Sequence, residues 1–171
     1  MIDLKLKIRE IADYPKKGIS FKDITPLLGD AKAFKCAIDK IASTYKDKKI
    51  DKVVGIDARG FLLASAVAYK LKAGLAIVRK KGKLPFKTIF SEYDLEYGKD
   101  IVEMHEDSIK TKERVIIIDD VLATGGTMEA AVKLVERLSG KIIGISFLID
   151  LTFLKGKEKL KKYKVYSLID Y

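Results

Sequence analysis

Residues Val115 to Thr127 read VIIIDDVLATGGT, and their order decides the fold. Val115, Ile116, Ile117 and Ile118 are β-branched and apolar at every position, so neither face of the strand they form suits water. Such a strand belongs in the interior of a sheet covered on both sides. Asp119 and Asp120 follow at its C-terminal end, and a turn of small residues comes next. Met128, Ala131, Val135 and Leu138 then recur with the spacing of one helix face, which stops before Gly140. Strand, turn and helix in that order predict an α/β unit.

Working outward, the same alternation repeats. Lys52 to Ile56 reads as a short buried strand, Phe61 to Leu71 as an alanine-rich helix, Leu75 to Val78 as a strand after Gly74, and Ile142 to Ile149 as another. Phe34, Ile38, Ile41 and Tyr45 mark a helix from about Ala31 to Lys46, with Asp30 placed to cap it. The pattern predicts a doubly wound, mainly parallel sheet in one domain spanning residues 1–171. Between Lys80 and Lys112 polar and aromatic residues with Gly82, Pro85 and Gly98 replace it, as in an extended hairpin or mobile loop. The first 30 residues, punctuated by Pro15, Gly18, Pro26 and Gly29, read as an irregular appendage capping the sheet.

Composition narrows the function classes. The 171 residues are 48% hydrophobic, enough for one core without disulfide or metal staples. No apolar stretch approaches the roughly 20 residues of a membrane span, and the N-terminus lacks the apolar run of a secretory signal. A cytoplasmic protein with no membrane partner is expected. The single cysteine, Cys36, reads as a buried structural thiol. A net charge of +10 would attract any polyanion, but no helix-turn-helix pattern is recognisable, so nucleic acid is not expected as the partner. Lys46 to Lys49 and Lys155 to Lys164 read as solvated surface. The cluster Arg79, Lys80, Lys81 and Lys83 leaves a strand and is costly unless solvent or an anion compensates it.

The chemistry is concentrated in the turn. Open α/β sheets bind ligands beyond the carboxyl ends of their strands, and a turn feeding a helix presents backbone N–H groups to an anion. Ala123, Thr124, Gly125, Gly126 and Thr127 could therefore surround a phosphate: the glycines allow close approach and the threonine hydroxyls add donors. No lysine follows the glycines, so this is not a nucleoside-triphosphate loop. Asp119 and Asp120 would repel a phosphate directly. Their plausible partners are hydroxyl groups or a magnesium-bound sugar. Successive strand residues point to opposite faces, so the two converge only if the strand ends between them. A phosphate cradle beside a diol site means ribose phosphate; a generic glycine-rich connection would leave the full thirteen-residue string unexplained.

At this point the chain resembles the type I phosphoribosyltransferases. Besides VIIIDDVLATGGT, the likeness includes DYPKKGISFKDITPLL at Asp13 to Leu28, GIDARGF at Gly55 to Phe61, RKKGKLP at Arg79 to Pro85 and YDLEYGKD at Tyr93 to Asp100. The resemblance implies a donor, phosphoribosyl pyrophosphate, whose ribose and 5-phosphate meet Asp119, Asp120 and Ala123 to Thr127. It implies a pyrophosphate loop of Asp57, Ala58, Arg59 and Gly60, with a cis peptide between the first two, and further contacts from Arg79 and Lys83. Residues 84–105 resemble the family's mobile catalytic loop, with Glu96 as the proton-transfer residue and Tyr97 ordering the closed loop. Residues 1–30 include a hood in which Phe21 stacks on a purine, the Ser20 backbone reads its edge, Lys22 adjoins it and Val121 packs opposite. By the same likeness the acceptor is adenine, the products are AMP and pyrophosphate, Mg2+ is bound mainly through the donor with no direct protein ligands, and the protein is a homodimer. The rival readings are a transferase for guanine, hypoxanthine or xanthine and a regulator that senses the donor without catalysis.

Overall fold

A computed structural model describes residues 2–95 and 98–171. In chain order its elements are β1 (Arg9–Ile11), β2 (Phe21–Asp23), α1 (Thr25–Gly29), α2 (Ala31–Ser43), β3 (Lys52–Ile56), α3 (Arg59–Leu71) and β4 (Gly74–Lys80). They continue with β5 (Thr88–Leu95), β6 (Gly98–His105), β7 (Arg114–Leu122), α4 (Gly126–Arg137), β8 (Lys141–Asp150) and β9 (Val165–Asp170). A seven-stranded sheet runs β5-β6-β4-β3-β7-β8-β9, with β3 and β7 at its centre. The pairs β3–β4, β3–β7, β7–β8 and β8–β9 are parallel; β6 is antiparallel to both β4 and β5. The mainly parallel α/β sheet is the one the strand-helix alternation predicts.

Period-two alternation divides the strands between two cores. Val53, Ile116 and Ile118 pack with α2 and α3 on one face, whereas Val54, Ile117 and Phe147 pack with α4 on the other. Both faces of β7 are therefore dry from Val115 to Ile118, which is why that stretch carries no polar residue between Arg114 and Asp119. The Asp30 carboxylate caps α2, accepting from the N–H groups of Lys32 (3.0 Å) and Ala33 (3.1 Å).

Three details differ from the sequence expectation: the end of α2, the exposure of Cys36 and the surroundings of Lys157. α2 ends at Ser43, and Tyr45 lies beyond it, still buried, with its hydroxyl 2.7 Å from Ser146 Oγ. Cys36 is only partly buried, because it flanks the inward face of α2. Within 84–105, β5 and β6 pair as a hairpin that joins the main sheet through Arg79↔Glu103 and Lys80↔Val102. The basic stretch 155–164 is not wholly solvated: Lys157 Nζ lies 2.7 Å from Asp150, whose side chain is 1% exposed and requires a counter-charge.

Candidate active site

The carboxyl ends of β3, β4 and β7 gather the residues singled out in the sequence. β7 does not stop between the two carboxylates; it continues to Leu122. They are nonetheless coupled, because Asp119 Oδ1 folds back along the strand to accept from the Asp120 N–H at 2.8 Å. Enclosure, and then the neighbouring Asp120 charge, push the Asp119 carboxyl well above the usual carboxylate range. Burial raises Asp120 as well, against the opposing pull of the Arg59 guanidinium.

Past Leu122 the chain turns into α4. Gly125 caps the helix at φ 80°, a left-handed conformation that glycine adopts freely. A Cβ there would sit 2.7 Å from the Gly156 carbonyl oxygen, so the turn is pressed against the 156–160 segment. Gly156 in turn lies against the Ala123 carbonyl. Asp119, Thr124 and Thr127 join the turn glycines in lining a small cavity of about 80 Å3 at the helix N-terminus. Its backbone N–H groups and partial positive charge suit an anion.

The 57–60 segment approaches from the start of α3. The Asp57–Ala58 peptide is cis, the conformation the family likeness implies at that step. Gly60 is buried against the end of β7, where a Cβ would meet Asp119 Oδ1 at 2.7 Å and the Ile118 carbonyl at 3.1 Å. Only glycine lets the 57–60 loop come this near to the paired carboxylates. Arg59 then reaches across, with Nη2 2.7 Å from Asp120 Oδ2 and Nη1 donating to the Lys22 carbonyl at 3.2 Å. Its guanidinium carbon stands 4.8 Å from the centre of the Phe21 ring.

From β4, Arg79 Nε donates to Asp57 Oδ2 at 3.2 Å, and Lys83 Nζ lies 3.9 Å from the same oxygen. Lys80 is directed elsewhere: its ammonium pairs with Asp100 at 3.1 Å, which raises its pKa. Phe21 is half-buried in β2, edge-on to Tyr14 at 5.1 Å, and Ser20 is exposed beside it. The Lys22 ammonium turns from the loop side toward Glu10, at 2.5 Å, leaving its backbone to face Arg59. Val121 is half-buried in β7. Glu96 and Tyr97 lie outside the described residues.

The hood, the paired carboxylates and the 57–60 loop are thus linked through one arginine. Sequence reasoning missed the side chain of Asp57 as the common partner of Arg79 and Lys83. It also missed Gly156 as the support of the 123–127 turn; a lone glycine inside a lysine-rich stretch was the available signal.

Comparison with known proteins agrees with this geometry. The family model for the phosphoribosyl transferase domain matches residues 27–170. An adenine phosphoribosyltransferase of Trichlorobacter lovleyi is 56% identical over 171 residues, covering 100% of both chains. The crystal structure of adenine phosphoribosyltransferase from Thermoanaerobacter pseudethanolicus superposes with a TM-score of 0.96 at 51% identity, covering 98% of each chain. That of the Saccharomyces cerevisiae enzyme, complexed with an imino-altritol bisphosphate and adenine, gives 0.91 at 37% identity, covering 96% of this chain and 95% of that one. With a family model over most of its length and full-length likeness to these enzymes, the chain belongs to the type I phosphoribosyltransferase family, among the adenine phosphoribosyltransferases.

Proposed function

We propose that the protein is a one-domain purine salvage enzyme converting adenine and phosphoribosyl pyrophosphate to AMP and pyrophosphate. The observation that carries this reading is Arg59, which touches the hood at Phe21, the carboxylate of Asp120 and the backbone of Lys22 at once. An acceptor base, a ribose and a leaving pyrophosphate would meet there. Ala123 to Thr127 hold the 5-phosphate, and Asp119 and Asp120 accept hydrogen bonds from the ribose hydroxyls. Arg59, Arg79, Lys83 and the backbone of Asp57 to Gly60 neutralise pyrophosphate as it departs.

Adenine stacks on Phe21, packs against Val121 and is read by the Ser20 and Lys22 backbone. Attack inverts the anomeric carbon through a transition state of oxocarbenium character. Glu96 moves the acceptor's ring proton, and Tyr97 orders the 84–105 loop, whose closure excludes water. Rate enhancement comes mainly from positioning and charge neutralisation.

Among the described residues no group of three or more acidic, histidine or cysteine side chains is placed to hold a metal. The two carboxylates at the end of β7 suit a diol whose metal arrives with the donor. Mg2+ brought in with the donor would supply charge neutralisation at the leaving pyrophosphate, while Asp119 and Asp120 accept from the ribose hydroxyls.

Among the described residues no helix is long and apolar enough to cross a membrane, and we place the reaction in the cytoplasm. Leu62 and Tyr69 of α3 and Leu75 of β4 expose apolar surface that suits a homodimer contact. A panel of adenine, guanine, hypoxanthine and xanthine with phosphoribosyl pyrophosphate and Mg2+ tests the assignment. AMP from adenine is expected; GMP or IMP without AMP would overturn it.

A further inference from the structure

The hood ribbon itself carries a buried cation whose side chain the proposed chemistry does not use directly. Lys22, next to Phe21 in β2, is 8% exposed, and an ammonium removed from water must be compensated. Glu10, its cross-strand partner in β1, places Oε2 2.5 Å from Nζ, and Ser20 Oγ lies at 3.1 Å. The Tyr171 ring supplies the third contact, its centre 4.2 Å from the same Nζ. Lys5 Nζ also lies 4.2 Å from that ring and donates to the Asp170 carbonyl at 2.7 Å.

Tyr171 is itself held firmly. Its N–H donates to the Asp150 carbonyl at 2.9 Å, and its backbone oxygen accepts from Thr152 N (3.0 Å) and Oγ1 (2.6 Å). It therefore fastens to the end of the main sheet a hood ribbon of only three residue pairs, which has little stability alone. The Lys22 carbonyl is also the acceptor for Arg59, so the fastening sets both the Phe21 ring and the arginine that meets the pyrophosphate loop.

We propose that Tyr171 and Glu10 are positioning residues for the acceptor base, acting through the buried ammonium of Lys22. The proposal rests on the reading of Phe21 as the base platform. The ring face, not the Tyr171 hydroxyl, is the working part, since that face meets the cation.

Steady-state kinetics on Tyr171→Leu, Tyr171→Phe, Glu10→Gln and Phe21→Ala, with each substrate varied against a saturating partner, test it. Tyr171→Leu is expected to raise the KM for adenine about three- to tenfold while leaving kcat and the KM for phosphoribosyl pyrophosphate within about twofold. Tyr171→Phe should restore the native value, and Glu10→Gln, which removes the charge but keeps an acceptor for the ammonium, should reproduce the selective rise. If Phe21→Ala raises the adenine KM but Tyr171→Leu and Glu10→Gln do not, or if they raise both KM values alike, the positioning role is overturned and the base platform stands. If Phe21→Ala has no effect on the adenine KM, the platform reading fails and takes the proposal with it.

Discussion

Arg59 Nη2 stands 2.7 Å from Asp120 Oδ2, joining the residue that opens α3 to a carboxylate that is almost fully enclosed. The pair neutralises Asp120 while the donor is absent and keeps the guanidinium over the place where pyrophosphate would leave. Replacing Arg59 by Met should lower kcat/KM for phosphoribosyl pyrophosphate by about 100-fold or more. It should also destabilise the fold by about 1–3 kcal/mol, because Asp120 is left without its partner. Adding Asp120→Asn should recover the stability in chemical denaturation but not the activity. If the double variant is no more stable than Arg59→Met alone, the pair does not neutralise Asp120.

The raised carboxyls at 119 and 120 give a stability signature with a definite sign. Each holds its proton to higher pH folded than unfolded. The folded state thus binds more protons between the two values; stability falls as pH rises through that window, and the penalty is complete above it. Asp119→Asn stays neutral throughout and keeps an acceptor for the Asp120 N–H. Its Tm should exceed that of the native protein at mildly alkaline pH, and the advantage should vanish in acid below the ordinary carboxylate range. A constant difference across the series would contradict this account.

Asp57 pairs with Arg79 and Lys83, the two cations proposed to meet pyrophosphate. Removing its charge while keeping its shape should strengthen anion binding at those cations. Product inhibition by pyrophosphate is expected to tighten about threefold to tenfold in Asp57→Asn. An unchanged inhibition constant would show that the carboxylate does not hold the cations back.

At Gly125 two constraints coincide: a φ of 80° and the Gly156 carbonyl where a Cβ would stand. Gly125→Ala should lower stability by about 1–3 kcal/mol, since a backbone neighbour cannot rotate away. The KM for phosphoribosyl pyrophosphate should rise at least about tenfold, because the turn must open to admit the methyl group. A donor KM close to native would show that the turn tolerates the shift.

The parts legible in the sequence are those whose chemistry is local. The apolar run at 115–118 can only be an interior strand, and the glycines and threonines after Leu122 advertise their turn directly. Asp30 likewise announces the start of α2. What escaped depends on partners distant in the chain. β9 is half-buried at the sheet edge beside a lysine-rich stretch, which obscured its alternation, and β1 is too short and exposed to carry a pattern. Arg59 could be assigned to pyrophosphate from its motif, but its contact with Phe21 joins residues 38 positions apart. Gly60 was named with its loop, yet its reason, the approach of Asp119, exists only when β7 and α3 are adjacent.

The seating of Gly156 against Ala123 and Gly125 has a bearing on how the chain may be cut. The proposed phosphate cradle is complete in its own residues by Thr127, yet its shape depends on a segment roughly thirty positions downstream. A fragment carrying every donor contact but lacking 152–160 would lose the wall behind its cradle. For circular permutation or split-protein reassembly, the joint therefore belongs at the exposed Lys46–Asp47 bend, and 152–160 must travel with the half that contains α4.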